Sequence, residues 1–258
     1  MIDIHTHILP GIDDGAQDIY DSIEMAALAY ENGTRVIVAT PHCNIPGLYD
    51  NYFGEEYTRL FRDTKKILRK EVPGITLLAG METFATEEMP RLLSEGKIFP
   101  INRTRYVLME FDFREDLGFA DRMLKQVRQV RGIPVVAHAE RYEFVQDDPE
   151  IVYRWKQAGC EIQVNKGSFM GRFGRRARET AYALLNHNLV SAVASDAHSP
   201  IQRTTCMADA YDDLLGGYPR EYLDVLFDTN PQRICNGEKT VQFRKIPFRE
   251  VYGWKEKA

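Results

Sequence analysis

The sequence contains no C-x-x-C pair. Its four cysteines, Cys43, Cys160, Cys206 and Cys235, stand far apart. In a chain of 258 residues that spacing favours reduced thiols in a cytosolic protein over a disulfide framework. The same residues exclude a thiol phosphatase, which needs an arginine six positions after its cysteine. Those positions hold Tyr49, Lys166, Asp212 and Val241. There is no P-loop and no G-x-S-x-G elbow. Basic charge is not in excess: 33 Lys and Arg against 38 Asp and Glu give -5, so no nucleic-acid partner is expected. Long apolar runs are also missing. The longest uncharged stretch, 180–195, is interrupted by Asn186, His187 and Asn188 and is too short and polar to enter a bilayer. No basic, apolar leader opens the chain, so no signal peptide is expected, and the predicted location is cytoplasmic.

What is present is alternation, without a linker or an internal repeat. Short β-branched runs at 2–5, 35–39, 75–80, 105–109, 133–137, 161–164 and 190–194 predict seven strands. Helix-period segments lie between them. Tyr57, Leu60, Phe61, Thr64, Ile67 and Leu68 share one helical face, as do Phe119, Met123, Val127 and Val130. Strands alternating with helices imply a parallel sheet, and seven units without a linker favour a closed or nearly closed α/β barrel over an open sheet. One domain over 1–258 is expected, its C-terminal tail packed through Pro247 and Trp254.

Six of the seven predicted strands lead into His, Asp or Glu. His5 and His7 end the first strand with Asp14 in the next loop, and i, i+2 spacing in an extended chain points both imidazoles the same way. His42, Glu82, Glu110 and His138 follow later strands, and Asp196 and His198 follow the last. A β/α barrel gathers its C-terminal strand ends at one mouth. Four carboxylates and five imidazoles sharing a pocket need counter-charge, because an unpaired buried carboxylate is costly. Divalent cations supply it. The N and O donors suit Zn, Mn or Fe, in two or three ions with Glu82 as a bridge. Arg141 and Arg203 follow closely, and guanidinium forks bind phosphate bidentately. His187, in Asn-His-Asn, is expected to be solvated. Gly171-Arg172-Phe173-Gly174 and the loop 44–53 each read equally well as turns or as substrate loops.

Taken in order, these residues resemble the PHP (polymerase and histidinol phosphatase) superfamily. More narrowly, they resemble the bacterial metal-dependent protein-tyrosine phosphatases of capsule and exopolysaccharide operons, the CpsB/CapC family. The resemblance rests on Asp3-Ile4-His5-Thr6-His7-Ile8-Leu9-Pro10-Gly11, Asp13-Asp14-Gly15, Thr40-Pro41-His42, Gly80-Met81-Glu82, Met109-Glu110-Phe111, His138-Ala139-Glu140-Arg141-Tyr142, Gln163-Val164-Asn165-Lys166-Gly167-Ser168 and Ser195-Asp196-Ala197-His198. It implies a distorted (β/α)7 TIM-like barrel, the PHP fold, holding three divalent ions, most often Mn, with Fe, Zn or Mg as alternatives. By position, one ion would take His5, His7, Glu82 and Asp196, a second Glu82, Glu110 and His138, and a third Asp14, His42 and His198. Arg141 and Arg203 match the family's phosphate-binding arginines. The implied reaction is metal-assisted hydrolysis of phosphotyrosine on the tail of an autophosphorylating kinase that controls polysaccharide export. Two rival readings remain: a small-molecule phosphatase such as histidinol-phosphate phosphatase, and a metal-stabilised binding protein without turnover.

Overall fold

The computed structural model describes residues 1–248; Trp254 lies outside them. Nine parallel strand segments form the sheet: β1 (Ile2–Thr6), β2 (Val36–Ala39), β3 (His42–Cys43), β4 (Thr76–Ala79), β5 (Glu82–Phe84), β6 (Tyr106–Glu110), β7 (Ile133–Val136), β8 (Glu161–Asn165) and β9 (Ala192–Ala194). Two of the seven expected strands, 35–39 and 75–80, are each followed after a break by a further short segment beyond the expected range. The first break falls at Thr40-Pro41, where proline has no N–H for the ladder. The second falls at Gly80-Met81, where the Gly80 carbonyl turns out of the ladder to accept from the Tyr57 hydroxyl at 2.8 Å. Below the breaks the order is β1-β2-β4; above them it is β3-β5-β6-β7-β8-β9. The upper segments keep a common register, with His42 opposite Glu82 and Phe84 opposite Glu110.

The sheet curls until its last strand returns to its first. Thr6 and Ala197 form a parallel bridge. The Asp196 N–H donates to the His5 carbonyl and the His7 N–H to the Ala197 carbonyl, each at 2.9 Å. Period-two alternation divides the strand side chains. Ile4, Val38, Leu108, Val135 and Ala194 belong to one buried cluster. Their neighbours Val107, Val136 and Val193 pack into another, with residues of the surrounding helices. This is the distorted (β/α)7 barrel expected from the sequence.

Helices at Glu55–Glu71 and Leu117–Gln129 occupy the expected segments. Two of the assigned face positions prove wrong: Ile67 and Val130 are exposed. Ile67 lies at the edge of a face centred on the buried Tyr57, Thr64 and Leu68, and Val130 is already the C-cap residue. His187 is also unlike its expectation. It is buried, its ring stacks on Phe248 at 3.7 Å, and Nδ1 lies 2.7 Å from the Ile246 carbonyl oxygen. The tail therefore packs against the barrel through Phe248. All four cysteines are free thiols. Among the described residues no helix is long and apolar enough to cross a membrane.

Candidate metal centre

All nine side chains singled out by the strand-end pattern meet at the C-terminal mouth of the barrel. His5 and His7 project together from the end of β1. Their Nε2 atoms lie 3.3 Å apart, 3.1 and 3.2 Å from Glu82 Oε2 and 3.5 Å each from Asp196 Oδ1. His42 Nδ1 sits 3.1 Å from Glu82 Oε2 and 3.0 Å from Glu110 Oε1. Asp14 Oδ1 lies 3.4 Å from both His42 Nε2 and His198 Nε2. His138 Nε2 is 2.9 Å from Glu82 Oε1 and 3.7 Å from Glu110 Oε2.

Three groups are compact enough to hold an ion: His5, His7, Glu82 and Asp196; His7, Asp14, His42 and His198; and His42, Glu82 and Glu110. The first matches the expected set and the second adds His7 to it. The third brings His42 to Glu82 and Glu110 through the β3–β5 register, and the expected His138 also reaches these two carboxylates, at 2.9 and 3.7 Å. Glu82, His7 and His42 are thus shared between groups.

The donor set fits divalent cations. His42 Nδ1, Glu82 Oε2, Glu110 Oε1 and His138 Nδ1 are buried polar atoms without a hydrogen-bond partner, although three of the four face one another. Burial alone would raise the Glu82 carboxyl, yet His5, His42 and the His138 hydrogen bond hold it well below the usual range. Burial likewise opposes the charge on Asp196, but His5, His7 and Arg203 hold its pKa well below normal. Burial opposes protonation of His42, while Glu82 and Glu110 raise its pKa to about 9. Glu82 and Asp196 thus remain charged by drawing protons onto neighbouring imidazoles, whereas burial and the charge of Glu82 raise the Glu110 carboxyl; bound cations would meet both demands.

Orientation comes from residues whose roles the strand-end pattern did not reveal. Asp13 Oδ2 accepts from His7 Nδ1 at 2.7 Å and from the His42 N–H at 2.9 Å. Gln163 Oε1 accepts from His5 Nδ1 at 3.0 Å and from the His138 N–H at 2.9 Å. With Nδ1 engaged, each imidazole turns Nε2 inward, the atom that would ligate an ion. Asn165 Nδ2 donates to Asp196 Oδ2 at 2.6 Å. Gln163 and Asn165 share one side of β8, the strand with no acidic or imidazole end; their i, i+2 spacing was the available signal. Gly15 allows the Asp13–Asp14 loop to close on β1, since a Cβ there would stand 2.1 Å from the His7 carbonyl oxygen. His138, Asp196 and Arg203 all have positive φ, backbone strain of the kind that collects at functional sites.

Arg141 and Arg203 flank the centre. Arg203 Nη2 lies 2.5 Å and Arg141 Nη1 3.4 Å from Asp196 Oδ2. Arg203 Nε is buried without a partner. Both arginines line a cleft of about 250 Å³ whose apolar wall includes Phe84, Phe111 and Phe113. From the loop 44–53, Ile45 reaches this cleft and the Tyr49 ring lies parallel to His42 at 5.7 Å. Lys166 points elsewhere, to Asp209 at 2.8 Å.

Residues 1–236 match the family described as capsular polysaccharide synthesis, CpsB/CapC. The chain belongs to this family. Among the relatives of this CpsB/CapC protein, tyrosine-protein phosphatase YwqE of Bacillus subtilis is 36% identical over 199 residues, 77% of this chain and 78% of that one. Tyrosine-protein phosphatase CpsB of Streptococcus pneumoniae is 29% identical over 239 residues, 91% of this chain and 98% of its own length. A solved structure from work on those two metal-dependent tyrosine phosphatases matches with a TM-score of 0.89 at 33% identity, covering 96% of this chain and 99% of that one.

Proposed function

We propose that this CpsB/CapC chain is a metal-dependent protein-tyrosine phosphatase, one PHP-type domain, that hydrolyses phosphotyrosine. The carrying observation is the division of labour at Asp196. Its Oδ1 faces the His5 and His7 nitrogens, and its Oδ2 faces both guanidiniums. Cation donors and phosphate donors therefore share one carboxylate.

His5, His7, Asp14, His42, Glu82, Glu110, His138, Asp196 and His198 would hold up to three divalent ions. Their N and O donors suit Mn, with Fe, Zn or Mg as substitutes. When bound, such ions lower the pKa of a coordinated water and neutralise phosphoryl charge. Arg141 and Arg203 orient the phosphoryl oxygens and stabilise the charge that grows on them. Phe84, Phe111 and Phe113 offer an apolar wall to the phenol ring. Free thiols agree with a cytoplasmic setting, and the tyrosine-rich tail of an autophosphorylating kinase in polysaccharide export is the substrate that the family suggests.

The test compares kcat/KM on a phosphotyrosine peptide, a phosphoserine peptide and histidinol phosphate, before and after chelation. Preference for the phosphotyrosine peptide, lost on chelation and restored by Mn, is expected. Preference for histidinol phosphate would replace the substrate assignment, chelator-resistant turnover would overturn the metal role, and inertness toward every ester would favour a binding protein.

A further inference from the structure

We propose that Phe173, in the turn Gly171-Arg172-Phe173-Gly174, is the positioning residue that aligns both Arg141 and Arg203 for phosphate. The inference rests on the phosphate role of those arginines stated above. The two guanidiniums come from loops 62 positions apart in the chain. The Arg141 Cζ lies 4.2 Å from the centre of the Phe173 ring, and the Arg203 Cζ lies 5.6 Å from it. Phe113 covers Arg141 as well, at 4.4 Å.

Two cations held this close repel each other. The one carboxylate oxygen they share, Asp196 Oδ2, is already taken by Asn165. A second carboxylate could relieve the repulsion, but it would occupy the N–H forks that a phosphate must use. An aromatic face avoids that conflict. It attracts the guanidinium through its quadrupole and accepts none of its strong hydrogen bonds, so the donors stay free.

The backbone is built to present this ring. Gly171 and Gly174 bracket the turn with φ of +76° and +90°, which only glycine adopts without strain. The Arg172 N–H donates to the Gly167 carbonyl at 2.9 Å, docking the turn on the segment that follows β8. The ring edge rests on Gly167: a Cβ there would meet Phe173 Cε2 at 3.0 Å. A side chain at Gly167 would push the ring, and with it the planes of both arginines.

The test uses metal-loaded full-length protein, with Phe173→Leu, Phe173→Tyr and Gly167→Ala beside the wild type. The readouts are KM and kcat on a phosphotyrosine peptide, the Kd of inorganic phosphate by calorimetry, metal content and Tm. Phe173→Leu should raise both KM and phosphate Kd by about tenfold, with kcat less affected and metal content unchanged. Phe173→Tyr should restore both constants. Gly167→Ala should weaken phosphate in the same direction, and it provides the reading if Phe173→Leu does not fold. Unchanged phosphate Kd in the folded variants, or a Tyr variant as impaired as the Leu variant, would overturn the proposal. Because phosphate Kd is read without turnover, a wild type inert toward the peptide would overturn the phosphatase reading and leave the Phe173 comparison decisive.

Discussion

The side-chain oxygen of Gln163 bonds to His5 Nδ1 at 3.0 Å, across 158 positions of sequence. The same oxygen accepts the backbone N–H of His138 at 2.9 Å. One amide therefore fixes the ring of one candidate metal ligand and the backbone of another. Gln163→Leu should lower metal affinity by about 10–100-fold, the usual cost of losing an outer-shell partner. Competition with a chromophoric chelator measures this, and unchanged affinity would remove the orienting role.

Metal affinity should rise with pH. The His42 pKa is raised to about 9 by Glu82 and Glu110, against the effect of burial. A metal must displace that proton, and those raised on His5 and His7. Affinity should increase roughly tenfold per pH unit for each proton released, from neutrality until His42 has titrated. Calorimetry in buffers of different ionisation enthalpy counts the protons. A pH-independent Kd would show that the imidazoles are not the ligands.

Arg203→Ala should reduce kcat/KM on a phosphotyrosine peptide by about 10²–10³-fold, the range for removing a donor to developing charge. Arg141→Lys should recover only part of the wild-type rate, because an ammonium lacks the planar fork. Initial-rate kinetics with metal content checked in each variant separates this loss from loss of ions.

Glu140 gives stability a pH dependence. It is fully buried; burial raises its pKa to about 7, against hydrogen bonds from Ser168 and the Asn165 N–H. Its Oε2 has no partner, which suits a protonated carboxyl. A group whose folded pKa lies above its unfolded value stabilises fully below the unfolded pKa and loses that contribution as pH rises through the folded one. Stability should therefore fall by on the order of 3 kcal/mol between about pH 4.5 and pH 8 on this account. Glu140→Gln should flatten that part of the profile in urea melts, and parallel profiles would refute it.

At the opposite end of β8, Lys156 donates to Glu161 at 2.6 Å and to Ser191 at 2.8 Å, and Thr240 donates to Glu161 at 2.6 Å. Lys156→Met would leave Glu161 buried without its cation, at a cost of about 3–5 kcal/mol. The folded variant should keep normal turnover, since this end of the barrel is remote from the mouth. Denaturant midpoints and kcat together check both halves.

Much of the centre was legible in the chain because strand ends can be read. Apolar β-branched runs mark each strand, and the residue after each run falls at the mouth. The same reading passed over Gln163 and Asn165, because amides carry no metal-ligand signature and act through partners far away in sequence. It misjudged His187, whose polar neighbours suggested solvent, because the Phe248 that covers it comes from the tail. It left the turn 171–174 unassigned, since nothing local says that a phenylalanine will meet two arginines.

The sequence by itself determined the parallel α/β order and the family and placed nine candidate donors at strand ends, because each depends on residue type and short-range spacing. The tertiary structure decided how the donors are shared. The pairing offset of β2 with β4 carries on past Pro41 and Gly80 into β3 and β5, so His42 stands beside Glu82, while His138 reaches Glu82 from the end of β7. The closure of β9 onto β1 brings Asp196 between the imidazoles and the guanidiniums. Those relationships arise from contacts between distant strands and loops, where packing and register, not local preference, fix which atoms meet.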